Sequence, residues 1–220
     1  MNLPDKIKVN QLGFLPDAPK MAVVANTGAT SFTLVNTQGS TVFSGNLSAA
    51  AEWAPSGETV RKADFSTFTT PGTYRVKVAG LADSNSFAIG DDVYDDLHDA
   101  AVKAYYFNRA STALTAEYAG DWARPAGHPD TNVQVHSSAA TATRPTGTVI
   151  SAPKGWYDAG DYNKYIVNAG ISTYTLLAAY EHFADFYQGR NINIPESGNN
   201  VPDLLDEIMW NLEWMEKMQD

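Results

Sequence analysis

The sequence has no cysteine among its 220 residues, which excludes disulfides and thiolate metal sites and leaves the redox compartment open. Basic residues are few: 15 Lys and Arg stand against 25 Asp and Glu, a net charge of −10. That argues against a nucleic-acid binder, which needs a basic face for phosphate. No apolar run approaches the roughly 18 residues that span a bilayer, so no membrane span is expected. The opening MNLPDKIKVN lacks the basic and apolar stretches of a signal peptide. No internal repeat stands out beyond an alternation of helices. What remains is globular in kind, 44% hydrophobic and 18% charged. The length suits one large domain or two small ones.

The acidity is confined to one side of the chain. Residues 1–90 carry 7 basic and 6 acidic residues, a net of +1, whereas residues 91–220 carry 8 and 19, a net of −11. The texture changes at the same place. In SFTLVN (31–36), Phe32 and Leu34 share a face, and in TYRVKV (73–78), Tyr74, Val76 and Val78 oppose Arg75 and Lys77. Period two of this kind predicts half-buried strands. MAVV (21–24), TVFSG (41–45) and SFAIG (86–90) are further candidates, separated by turn signals such as NTQGS and TTPGT. Short strands with frequent turns predict an immunoglobulin-like β-sandwich over 1–90. From 91 the pattern is helical, with helices expected over 93–109, 164–187 and 199–219. A long irregular stretch, 110–160, separates the first two and ends in a cluster of acids and aromatics.

That cluster is GWYDAGDYNKY, residues 155–165. Asp158 and Asp161 stand three apart with only Ala159 and Gly160 between them, so a ligand can approach closely. Two carboxylates can hold a water and accept its proton. The chain after Asp161 reads as helical, and a helix N-terminus favours an ionised carboxylate. Trp156 and Tyr157 are candidate substrate-binding residues, because sugar rings present C–H faces that pack on flat apolar surfaces, although in a chain that is 11% aromatic these side chains could equally be core. Spacing alone leaves helix capping, a calcium-like structural role and catalysis all open.

The motif resembles the signature of glycoside hydrolase family 9, the inverting cellulases. Three further segments agree in order. VNQLGFLP (9–16) resembles the first strand of the immunoglobulin-like domain that precedes many of its catalytic domains, and AYYFNR (104–109) resembles the first barrel helix. IPESGNNVPDLLDEIMWNLEWMEKMQD (194–220) resembles the segment after the motif's helix. The resemblance implies a two-part chain, a β-sandwich at 1–90 and the first part of an (α/α)6 barrel at 91–220. It implies an endo-acting β-1,4-glucanase that hydrolyses with inversion. Asp161 would be the base, and Asp158 would help hold the attacking water.

The implied partners are a β-1,4-glucan polysaccharide or oligosaccharide and the missing C-terminal part of the barrel, as a second chain or a continuation. A twelve-helix barrel does not fit in residues 91–220, which would end in mid-barrel at Asp220. The family's acid is a glutamate near the far end of the barrel. None of Glu181, Glu196, Glu207, Glu213 or Glu216 stands in a matching position, and Glu207 and Glu213 read as the polar face of a helix. The chemistry requires no cofactor. The resemblance admits a structural calcium but names no metal ligand. Its cysteine-based zinc site is not expected, because Ala110 and Gly127 stand where cysteines would, with His128 beside them. A polymeric substrate implies a secreted or periplasmic protein. Two alternatives stand beside this reading: an exo-acting enzyme of the same family on cello-oligosaccharides or glucosamine oligomers, and a non-catalytic carbohydrate-binding protein.

Overall fold

Eight short strands form between Ile7 and Ile89 in a computed structural model that describes residues 6–219. Residues 1–5 and Asp220, the expected mid-barrel end, lie outside the described residues. The strands are β1 (Ile7–Lys8), β2 (Met21–Ala25), β3 (Ser31–Asn36), β4 (Thr41–Asn46), β5 (Ala51–Trp53), β6 (Glu58–Asp64), β7 (Gly72–Lys77) and β8 (Phe87–Ile89). They make two antiparallel four-stranded sheets, ordered β1-β2-β6-β5 and β4-β3-β7-β8.

Alternation decides which side chains meet between the sheets. Phe32, Leu34, Tyr74 and Val76 point inward and are buried, while Arg75 and Lys77 face water. Val24, Ala63, Phe65 and Phe87 close the core, with Phe14 edge-on to both Phe65 and Phe87 at 5.4 and 5.5 Å. Each such aromatic or aliphatic side chain contributes roughly 1.5–3 kcal/mol by burial. The Tyr74 hydroxyl reaches back to the carbonyls of Thr70 and Pro71, each at 3.1 Å. That contact is a tyrosine corner, a hallmark of immunoglobulin-like sandwiches.

All five strand candidates are strands, but two details differ from expectation. VNQLGFLP is not itself a strand: β1 precedes it, and only Phe14 pairs, across a bridge to Ile89. β6, unanticipated because ETVRKAD reads as charged, is an inner strand whose Ala63 is fully buried. Trp53, on the outer strand β5, is exposed.

The chain divides into two compact units, 1–96 and 97–220, the division falling in the first turn of α1 (Asp95–Phe107). The rest of the second unit comprises α2 (Ala116–Ala119), a β9/β10 hairpin (Val133–Gln134 and Val149–Ile150), α3 (Ile166–His182), α4 (Ala184–Tyr187) and α5 (Asp203–Met218). The three long helices are shorter than their periodicity predicts. The expected 164–187 helix stops at His182 and resumes for one turn after Phe183. Helix α5 packs on α3, where Asn211 donates to the Thr173 hydroxyl at 2.9 Å. Helix α3 is apolar nearly all round, and leaves Ile166, Val167, Ile171 and Tyr174 exposed. Among the described residues no helix is long and apolar enough to cross a membrane.

Candidate active site

The motif loop is set on a buried ionic platform. Arg109, at the end of the α1 segment, is 1% exposed, and Glu207 on α5 is fully buried. The guanidinium donates to Glu207 through Nε at 3.1 Å and to Glu196 through both terminal nitrogens at 3.0 Å. It also lies over the Trp210 ring at 4.5 Å. Burial disfavours the Arg109 charge, but Glu207 and Glu196 outweigh it and hold its pKa above the ordinary value. Glu207 is therefore not part of a solvated face, as helical periodicity suggested. Its charge is matched by an arginine 98 residues away in sequence, which no local pattern encodes. Glu213 does lie toward solvent, paired with Lys154 at 2.5 Å.

Trp156 couples this platform to the motif. Its indole nitrogen donates to Glu207 at 2.7 Å, and its backbone amide donates to Asn211 Oδ1 at 3.3 Å. Its ring is almost wholly buried, 4.7 Å from that of Tyr105. Gly155 stands at φ +80°, where a Cβ would come within 2.9 Å of the Trp214 ring and 3.0 Å of Lys164. Only glycine meets both demands without displacement. The Gly155 carbonyl accepts from Ala110 N and the Tyr157 amide donates to Asn108 O, each at 2.8 Å, so the chain leaves the platform in a fixed direction.

The two aspartates then enter an exposed turn. Asp158 opens onto a recess of about 180 Å³ that it shares with Tyr105, Asn108, Trp156, Tyr165 and Asn168. Its Oδ1 accepts from Asn168 at 2.6 Å. Asp161 borders a second recess of about 310 Å³, with His128, Asp130, Tyr162, Lys164 and Trp214. Asn163 ties the two acids together: its carbonyl accepts from Asp158 N at 2.9 Å, and its own amide donates to Asp161 Oδ1 at 3.1 Å. The Asn163 side chain and the Tyr165 hydroxyl donate to Asp161 Oδ2 at 3.0 and 3.1 Å. The Asn163 backbone amide, then its side-chain amide, with Tyr165 adding to both, hold the Asp161 carboxyl below its ordinary pKa.

A helix dipole is not the cause. Helix α3 begins at Ile166 with Tyr165 as its cap, so Asp161 lies before the first turn. Tyr157 is buried to 9% exposure, its hydroxyl 2.8 Å from His128 Nδ1, and burial raises its pKa. Asn108, Asn163 and Asn168 were not singled out from sequence. Asn108 lies in AYYFNR and Asn163 in GWYDAGDYNKY, whereas Asn168 meets Asp158 only because α3 turns its face to the loop.

A zinc site with cysteine ligands does not fit these residues. Ala110 and Gly127 do lie in neighbouring segments, joined by Ser111 N to Gly127 O at 3.1 Å, but neither bears a ligand. His128 Nδ1 is taken up by Tyr157, and its ring stacks on Tyr162 at 5.1 Å. Among the described residues no cluster of three or more His, Cys, Asp or Glu side chains is placed to hold a metal ion.

Both units of the chain match known families. Residues 3–83 match the family described as cellulase N-terminal ig-like domain, and residues 94–220 match glycosyl hydrolase family 9. A xyloglucan-specific endo-beta-1,4-glucanase of Bacteroides ovatus is 48% identical over 217 residues, covering 98% of this chain and 37% of that protein. Endoglucanase D of Acetivibrio thermocellus is 35% identical over 216 residues, covering 97% of this chain and 33% of that protein. A solved structure of a Bacteroides ovatus GH9 superposes with a TM-score of 0.91 at 47% identity, covering 99% of this chain and 40% of that one. The chain thus spans about a third of the length of the curated relatives it matches.

Proposed function

This chain belongs to glycosyl hydrolase family 9, and on that premise we propose that it supplies the water-activating half of an endo-acting β-1,4-glucanase that works by inversion. Asp161 is the general base and Asp158 positions the attacking water. The observation that carries this reading is the state of Asp161: exposed to a recess, yet held charged by three hydrogen bonds from its own turn. A base must be ionised and reachable, and both conditions are met. Asp158 keeps one oxygen occupied by Asn168, which fixes its rotamer and leaves the other oxygen for water. Of the aromatics that border the recess, Tyr105 and Tyr165 keep ring surface that a sugar could pack against, whereas Trp156 and Tyr157 are almost wholly buried.

Inversion also needs an acid roughly 6.5–9.5 Å from the base, on the far side of the scissile bond. No glutamate among the described residues borders either recess, so the acid comes from the part of the barrel these residues do not include. An apolar groove of about 650 Å³ along Ile166, Met209, Leu212, Met215 and Met218 supports a completed (α/α)6 barrel, as does the exposed face of α3. The substrate is a β-1,4-glucan. A branched, xyloglucan-type chain is the second reading, favoured by the 48% identity to a protein named for that substrate. Secretion or a periplasmic location follows from a substrate too large to import.

Reducing-end release by the full-length protein tests the proposal, on a soluble cellulose derivative and on xyloglucan. Asp161→Asn is expected to lower kcat by about 10²–10⁴-fold, and the first product seen by proton NMR is expected to be the α-anomer. A β-anomer, or full activity in Asp161→Asn, would sink the assignment of the base.

A further inference from the structure

Two loops meet beside Asp161, and side chains make the join. One is residues 127–130, Gly-His-Pro-Asp; the other is the motif loop, 155–164. His128, Asp130 and Tyr162 all adopt left-handed backbone conformations, at φ +47°, +49° and +60°. Non-glycine residues rarely do so, and three in one contact cluster mark a geometry that the surroundings enforce.

The contacts that enforce it are specific. The His128 ring stacks on Tyr162 with an interplanar angle of 24°, and its Nδ1 meets the Tyr157 hydroxyl at 2.8 Å. Asp130 pairs with Lys164 at 2.6 Å, and its carbonyl accepts from Ala152 N at 2.8 Å. The ammonium of Lys164 also donates to the carbonyls of Ala152 and Lys154, at 3.0 and 2.8 Å. Asp161 directly precedes Tyr162 and lies three residues before Lys164, so the short stretch after the acid is gripped at both ends.

We propose that His128 and Asp130 are positioning residues for the Asp161 turn, forming an organic clamp where a thiolate metal cross-link does not fit. His128 acts on the turn through Tyr162 and Tyr157. Asp130 acts through Lys164. The stack resists sideways swing of the turn, and the ion pair fixes its downstream end. The proposal rests on the assignment of Asp161 as base.

The test compares His128→Ala, His128→Phe, Asp130→Asn and Asp161→Asn in the full-length protein on a soluble β-1,4-glucan, with melting temperatures alongside. Displacing a catalytic group by an ångström costs on the order of 10- to 100-fold. His128→Ala is expected to lose kcat in that range with KM changed by less than about twofold. His128→Phe, which keeps the stack, is expected to recover most of the loss, and Asp130→Asn to show a smaller loss of the same kind. Wild-type kcat in His128→Ala would overturn the clamp, and so would a loss that His128→Phe does not recover and a fall in melting temperature accounts for. Those results with Asp161→Asn inactive would sink the clamp alone. An active Asp161→Asn would sink the base assignment and the clamp with it.

Discussion

Among the described residues of the sandwich the fully buried large side chains are Val24, Phe32, Leu34, Phe65, Val76 and Phe87, with Lys20 the one charged exception. In the helical unit they include Arg109 and Glu207, with Asn211 beside them, while Val167, Ile171 and Tyr174 of α3 lie in water. The sandwich puts its apolar groups inside and closes on itself. The helical unit buries an ion pair beside its apolar cluster. Buried charge is weak evidence for stability, because the cost of removing ions from water offsets most of their attraction. Here it has another consequence: the Arg109–Glu207 pair anchors the Trp156 indole, and Trp156 leads into the acidic turn. The difference separates a core that makes a scaffold from one that aims a site.

The largest expected effect breaks the ionic platform. Arg109→Met leaves Glu207 buried and unpaired, and should cost roughly 3–5 kcal/mol in urea unfolding. Adding Glu207→Leu should restore much of it, because removing both charges removes the penalty, although Trp156 Nε1 then loses its acceptor. A single variant as stable as wild type would remove the contrast between the two cores. In the sandwich, Phe65→Ala should cost about 3–5 kcal/mol by truncation and cavity formation, with no second-site charge change able to rescue it. Recovery by a charge substitution there would show that both cores obey the same rule.

The two cores also differed in how far their sequences could be read. Alternation in SFTLVN and TYRVKV placed Phe32, Leu34, Tyr74 and Val76 correctly, because a strand's inward face is a local property of spacing. β6 escaped notice because its inward residue is an alanine among charges, and only pairing with β2 and β5 makes it a strand. Glu207 escaped because its partner is distant. The acidic turn was visible as a motif, but the reason for its charge was not. Proximity to a helix suggested the dipole, whereas the hydrogen bonds come from Asn163 and Tyr165 in an irregular loop. Local periodicity carries the scaffold; the site depends on long-range pairs and on turn geometry.

The smallest expected effect is a shift in pH dependence, and it bears most closely on the acidic turn. A depressed folded-state pKa means that the hydrogen bonds to Asp161 are at full strength above the ordinary aspartate value of 3.8 and are lost as pH falls through the lowered one. The measurement is kcat/KM against pH for the full-length protein and for Asn163→Ala combined with Tyr165→Phe. The prediction is an acid limb below 3.8 in the wild type that moves upward in the double variant. An acid limb at or above that value in the wild type, or one that does not move, would contradict the account of Asp161 as a base kept charged by its own turn.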